Sequence, residues 1–337
     1  MDSRLAKFRE FYRQPRTCRQ DRILILTDCP QELYQTIISE ISEKYPFIEV
    51  VYSSSQQTLF VSTIRCEIGQ ELGRYVGDQL GGWLNYYIGF DSGTLFTYTS
   101  MLDPFVVRSC VVPPNDLTYL RYPKAGRTTD HVGRVIFESG YLSNYKQLMT
   151  KIKLHVNNDD RNLSLTVFLI LVDESPKFEI PEINLAEELS NEVHMQRFLD
   201  TLLSYRSGFS GYFTRDIIQN IEYEGQRWFG ELTSCIIHVY RYYPELKALA
   251  LLHCIDCLEW LRTAERRVKL NVDLDLHIND VMIPQHTRGR SFRKPWVPLS
   301  LNGDILVEEI NSAIGETAMN RFEEVLTTQH RAGEGEG

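Results

Sequence analysis

Four soft metal ligands lie in two pairs in the second half of the chain. Cys235 and His238 are three residues apart, and Cys254 and Cys257 repeat that spacing after fifteen intervening residues. If Pro244 separates two antiparallel helices, the four side chains could converge as the tetrahedral Cys3His set that suits zinc. Their neighbours are mostly apolar, however, and cysteine is among the most buried residue types. We therefore expect core cysteines and no metal or other cofactor, with a zinc site as the alternative.

A further thiol, Cys29, precedes a predicted helix that begins near Pro30, and a helix N-terminus lowers the pKa of a thiol. A phosphatase-type loop would need an arginine soon after the cysteine, and the segment CPQELYQ contains none. Glycine-rich nucleotide-binding loops, a GxSxG nucleophile turn and an HExxH motif do not occur in the sequence. We predict that the protein is not an enzyme. Chemistry at Cys29 or at the Cys/His pairs is the alternative.

A basic loop occupies residues 286–296 and contains Arg288, Arg290, Arg293 and Lys294. Cationic side chains bind phosphates, and Trp296 at the end of the loop could stack on a base. A solvated loop that faces the acidic C-terminal helix would explain the same pattern. RNA binding by this loop, as in a silencing suppressor, is therefore the alternative function.

The composition predicts a folded protein in a reducing compartment. The 337 residues are 43% hydrophobic and 24% charged, and the seven cysteines are an odd number. The net charge is −9, and residues 301–337 contribute −6 of it through eight acidic residues and two arginines. A negative net charge argues against a protein that coats nucleic acid. Neither a signal peptide nor an apolar run long enough for a membrane span is visible. We expect a soluble protein inside the cell, in the cytoplasm or also in the nucleus, with no membrane partner.

The order of predicted elements indicates an α+β fold with a β-rich N-terminal domain. From about residue 20 to about residue 100 the hydrophobic periodicity gives β-α-β-β-α-β, the order of a ferredoxin-like unit. The segments at 151–156 and 163–172 are interpreted as a hairpin around the polar loop NNDDRN. Pro176 and Pro181 suggest a domain boundary.

Beyond that boundary the pattern predicts a mainly helical domain. Helices are expected over 209–239 and 245–269, then one alternating strand, KLNVDLDLHI, the basic loop and a last helix over about 304–327. The predicted organisation is an N-terminal arm (1–20), a mixed β-rich domain (21–180), a mainly helical domain (181–330) and a disordered tail (331–337).

The segment LRYPKAG at 120–126 resembles a short turn in the non-structural NSs proteins of phlebovirus-like (phenuivirus) viruses. Those proteins carry an Arg-Trp-Pro-x-Gly-like turn at a similar place, which Arg121, Tyr122, Pro123 and Gly126 would match here. Tyr122 replaces the tryptophan of the family, and two residues separate Pro123 from Gly126.

Two later segments are similar to elements of the same family. Trp296 and Pro298, in RKPWVP, resemble a Trp-Pro element near the C-termini of NSs proteins. Phe322, Glu324 and Val325 fit an aromatic-x-acidic-Val motif with which some members bind a subunit of TFIIH. Phe322 and Val325 would equally form an apolar face of the last helix.

The resemblance implies a non-enzymatic viral protein that antagonises interferon-type antiviral responses. Its partners would be host signalling or transcription proteins, and it would self-associate. The three elements named above, the turn at 121–126, the loop that ends at Trp296 and the segment 322–325, are the expected contact sites.

Overall fold

The structure is a computed structural model that describes most of the chain. The described residues are 2–13, 23–42, 49–53, 56–62, 66–84, 95–99, 105–107, 110–112, 116–121, 131–157, 165–181, 191–207, 216–263, 269–281 and 296–334.

These residues form an α+β fold. The helices are α1 (Ser3–Arg13), α2 (Gln31–Ser42), α3 (Glu67–Leu84), α4 (Tyr145–Asn157), α5 (Asn191–Ser207), α6 (Cys257–Thr263), α7 (Ile278–Val281) and α8 (Gly303–Glu334). The strands are β1 (Ile23–Leu26), β2 (Glu49–Ser53), β3 (Thr58–Ser62), β4 (Leu95–Thr99), β5 (Phe105–Val107), β6 (Cys110–Val112), β7 (Asp116–Arg121), β8 (His131–Tyr141), β9 (Leu165–Ser175), β10 (Ile221–Tyr223), β11 (Gln226–Phe229), β12 (Glu231–Tyr243), β13 (Ala248–Asp256), β14 (Lys269–His277) and β15 (Trp296–Asn302).

The N-terminal elements build an antiparallel sheet in the order β1-β3-β2-β6-β5. Helices α1 and α2 pack on it, and Phe8 from the predicted arm is buried there with Ile37 and Leu59. The predicted order of elements is found from β1 to β4. The ferredoxin-like sheet is not confirmed, because β4 pairs with β7 in a different sheet. The N-terminal arm is therefore partly a packed helix.

The larger sheet has six strands in the order β13-β12-β9-β8-β7-β4. All neighbours are antiparallel except β8 and β9, which are parallel and joined by α4. The predicted hairpin over 151–156 and 163–172 is therefore wrong. Its first segment is the end of α4, whose apolar residues Leu148, Ile152 and Val156 recur with helical spacing. The charged residue Lys151 lies within this apolar pattern and hides it in the sequence. In the structure Lys151 is buried against Glu138, with an Nζ–O distance of 2.8 Å.

The predicted helices over 209–239 and 245–269 are also wrong in most of their length. Residues 231–243 and 248–256 form the hairpin of β12 and β13, and of the described residues in these two ranges only 257–263 are helical. Strand β12 buries Cys235 and Ile237 on one face and Tyr240 and Tyr242 on the other. A strand that is buried on both faces shows no clear alternation, and its apolar run then looks like a buried helix.

This hairpin also extends the sheet across the predicted domain boundary at residue 180. Strand β12 pairs with β9 along eleven positions, so residues from both sides of the boundary share one sheet and one core. Helix α3 packs on one face of the sheet, α8 packs against α3, and α5 packs against α8 in the same core. Helix α4 covers part of the other face.

The last helix, predicted over 304–327, is confirmed and continues to Glu334. Residues 331–334, predicted to be disordered, are thus helical. Of the helices in the described ranges, none has the length and apolar character needed to span a membrane.

Candidate interaction surface at the outer strand of the six-stranded sheet

The predicted zinc ligands are divided between the two faces of the sheet. Cys235 and Cys257 are buried together in the larger core, and the hydrogen bond between them, with burial, raises the pKa of Cys235 well above its usual range. His238 and Cys254 lie opposite each other on β12 and β13 and point to the other face. Residues three apart on a strand face opposite sides, so the four side chains do not converge. Across the described ranges no group of three or more His, Cys, Asp or Glu residues could hold a metal ion.

Cys29 is not an activated thiol. Its side chain is fully buried beside the start of α2, and burial raises its pKa. The Sγ atom lies 3.8 Å from the carbonyl oxygen of Pro30. The expectation of a lowered pKa is wrong because loss of solvation outweighs the charge of Arg4, which acts to lower the pKa.

The residues of the NSs-like turn are only partly described. Arg121 ends β7, where its backbone lies opposite Leu95 of β4 and His131 of β8. Tyr122, Pro123 and Gly126 lie outside the described residues.

The basic loop joins β14 and β15, which pair with each other. Arg288, Arg290, Arg293 and Lys294 lie outside the described residues. Trp296 begins β15 with 54% of its surface exposed, and its ring meets that of His277 edge-on at 5.7 Å between centroids. Pro298 lies opposite Asp273 and is half-buried. Trp296 is therefore placed as an accessible aromatic side chain.

The segment 322–325 is not an accessible binding motif. Phe322 is fully buried, stacks on Phe198 at 4.4 Å between ring centroids and meets Trp228 edge-on at 4.9 Å. Val325 is also buried, and Glu324 is half-buried on the same helix. Phe322 and Val325 therefore lie on the apolar face of the last helix, as the alternative states, and the partner-binding role stays a prediction.

The surface that sequence reasoning missed lies on β13, the last strand at one side of the six-stranded sheet. Residues 248–255 contain no Lys, Arg, Asp or Glu, and the flanking charges are Lys247 and Asp256. Leu251 is 51% exposed, and Leu246, in the turn before the strand, is 70% exposed. Exposed apolar side chains also occur on α5, at Val193, Leu199 and Leu203, but there they lie on a helix that has no free backbone edge.

Leu249, Leu251 and Cys254 form one patch, which we call the outer shelf. They lie opposite Tyr242, Tyr240 and His238 of β12, so all six side chains share a face of the sheet. Helix α4 packs on the inner part of this face, around Leu148 and Ile152. The outer shelf extends beyond that covered area, and both Leu251 and Cys254 are exposed.

A chain of polar side chains borders the outer shelf. The hydroxyl groups of Tyr145 on α4 and Tyr240 are 2.8 Å apart, and that of Tyr240 is 3.2 Å from Nδ1 of His238. Burial lowers the pKa of His238. Burial and the hydrogen bond from Tyr145 raise the pKa of Tyr240. Burial thus favours the neutral forms of His238 and Tyr240, and the shelf has a hydrogen-bonded border next to its apolar surface.

A scan against protein-family models finds no matching family, and searches of curated proteins and of solved structures find no match.

Proposed function

We propose that the protein acts by binding another protein through the outer shelf and the adjoining edge of β13. The observation that carries this proposal is the exposed Leu251 on an outer strand that has no charged residue from 248 to 255. The resemblance to NSs proteins makes a host protein of the antiviral response the expected partner. In that case the protein is a viral antagonist that works by contact.

The physical support is the cost of leaving this surface in water. Outer strands usually carry lysine, other charges or proline, which prevent pairing with a second chain. Fully burying one leucine side chain contributes about 1.5–3 kcal/mol, so covering the exposed half of Leu251 contributes about 1 kcal/mol. Leu249 adds to the same apolar area, and Leu246 in the adjoining turn is 70% exposed. Clustered apolar area of this kind marks protein-binding sites.

The test is affinity capture from host-type cells with the wild type and two matched variants, after nuclease treatment. Leu251→Lys places a charge on the outer shelf. Leu203→Lys places the same charge on α5 at a leucine that is 54% exposed. We expect Leu251→Lys to lose a defined set of co-purifying signalling or transcription proteins that Leu203→Lys keeps. Equal capture by both variants, with circular dichroism showing both folded, would refute the proposal.

RNA binding is the second candidate, and the exposure of Trp296 beside the basic loop favours it. Trp296→Ala should weaken binding to single-stranded RNA about tenfold or more, because stacking on one base is worth about 1–3 kcal/mol. Changing Arg288, Arg290 and Arg293 to Ala should flatten the salt dependence of the affinity. Arg262→Ala, an exposed arginine on α6, is the control. An unchanged salt dependence in the triple variant would exclude this candidate.

A further inference from the structure

We infer that the partner binds as an extended strand that pairs with residues 248–251 of β13, and that this strand is apolar with an acidic residue next to Lys247. The inference rests on the proposed function, and it adds the mode of binding and the chemistry of the partner.

The edge of β13 provides the backbone groups for such pairing. Its inner side is paired with β12, and in the described residues no strand pairs with its outer side. In a strand, alternate N–H and C=O groups point to opposite sides, so an outer strand presents half of them outward. Peptides that add a strand to a sheet use these groups for affinity and alternate side chains for specificity.

An irregularity in β13 defines which part of the edge is usable. Ala248, Leu249, Ala250 and Leu251 pair in unbroken register with β12, and the register then shifts at Leu252 before it resumes at His253. A bulge of this kind bends the strand and interrupts the ladder. The regular template is therefore the four residues from Ala248 to Leu251.

The sequence of β13 disfavours a second copy of this chain as the occupant. An antiparallel two-fold pair about Ala250 would place Leu249 opposite Leu251 of the copy and would not involve the bulge. Residues 248–255 contain no Asp or Glu, however, so a second copy that pairs through this segment brings no acidic side chain to Lys247. A different strand can supply one.

Side chains and charges near the template specify the partner. Leu249 and Leu251 point to the same face, two residues apart, so the opposite residues of an added strand meet apolar surface. Lys247, exposed and adjacent to Ala248, is the charge at the end of the template, while Glu245 lies further away at the tip of the turn. Arg241 lies opposite Ala250 on β12 and faces away from the outer shelf. A partner that runs antiparallel to β13 places its next C-terminal residue beside Lys247, where an acidic side chain is favoured.

Three fluorescein-labelled peptides test this inference. The first is Thr-Val-Thr-Val-Thr-Asp-Glu, the second ends in Lys-Lys in place of Asp-Glu, and the third has proline in place of the central valine. We expect the acidic peptide to bind up to about fivefold tighter than the basic one, because an exposed ion pair is worth up to about 1 kcal/mol. The proline peptide should not bind, since it lacks a backbone donor. Leu251→Lys should weaken binding, and Leu203→Lys should not.

Hydrogen exchange resolved to single residues identifies the mode. The acidic peptide should protect alternate amides within 248–251. The inference is overturned if binding of the peptide depends on Leu251 but leaves these amides unprotected. It is also overturned if the peptide does not bind at millimolar concentration. The capture experiment tests the proposed function separately. Protection that rises with protein concentration without peptide would show that a second copy occupies the edge, which also overturns it.

Discussion

Replacement of Arg321 by alanine tests how the last helix is held on the larger sheet. Arg321 of α8 donates to both carboxylate oxygens of Glu174 at the end of β9, at 2.9 and 2.6 Å, and to the carbonyl oxygen of Trp228 at 2.9 Å. The backbone N–H of Gly230 also donates to Glu174, at 2.7 Å. The guanidinium lies 4.6 Å from the ring centroid of Phe178. Both ionic side chains are largely buried.

The magnitude follows from that burial. In Arg321→Ala the Glu174 carboxylate keeps only the Gly230 N–H among these partners, and the carbonyl of Trp228 loses its donor. Removing one member of a buried ion pair costs about 3–5 kcal/mol, because the remaining charge stays desolvated. Burial alone would lower the pKa of Arg321, but the hydrogen bond to Glu174 and the charges of Tyr141, Glu174 and Glu67 together raise it, so the arginine stays charged.

Urea unfolding followed by tryptophan fluorescence is the assay, with Arg74→Ala as the matched control. Arg74 also bonds to two glutamates, Glu71 and Glu309, but half of its side chain is exposed. Its removal should lower the free energy of unfolding by less than about 1 kcal/mol. If Arg321→Ala and Arg74→Ala lose equal stability, the reasoning from burial is refuted. The double replacement Arg321→Met with Glu174→Leu should recover part of the loss, since no unpaired charge remains.

Three further changes test other parts of the structure. Phe322→Ala should lower the free energy of unfolding by about 3–5 kcal/mol, because it leaves a cavity at the centre of the aromatic cluster with Phe198 and Trp228. A loss below about 1 kcal/mol in urea unfolding would contradict the burial of Phe322. Burial lowers the pKa of His238 in the folded protein below the unfolded value of about 6.5. Neutral His238 therefore contributes its full stability above pH 6.5, and this stability is lost as the pH falls through the folded pKa. The variant His238→Gln should lose less stability than the wild type between pH 7.5 and pH 5, and parallel pH profiles would count against this. Gly230→Ala should destabilise the protein by about 1–3 kcal/mol, because a Cβ there would lie 2.8 Å from the carbonyl oxygen of Ser175. Gly82→Ala in α3 is the contrasting change, because a Cβ there meets nothing within 4 Å. It should stabilise the protein by about 0.5–1 kcal/mol in the same unfolding assay.

The helices that sequence reasoning predicted correctly have one buried and one exposed side. Helices α2 and α3 show this pattern, as does α8, where Phe322 and Val325 mark the buried face. Their periodicity is therefore visible without knowledge of neighbouring elements. The candidate site could not be found in this way, because Leu251 was assigned to a helix. The sequence does contain a turn residue, Pro244, between two apolar runs. That pattern is typical of a β-hairpin as well as of two packed helices.

The sequence by itself determined the α+β class, the position of the last helix and the burial of Cys235 and Cys257, since local periodicity and residue type are enough for these. Only the tertiary structure decided that 231–256 is a hairpin, because β12 is enclosed on both faces by elements distant in sequence. It also decided that Lys151 is a core residue, because Glu138 on a neighbouring strand accepts its charge. The exposure of the outer shelf depends on the order of strands in the sheet. No local pattern contains that order.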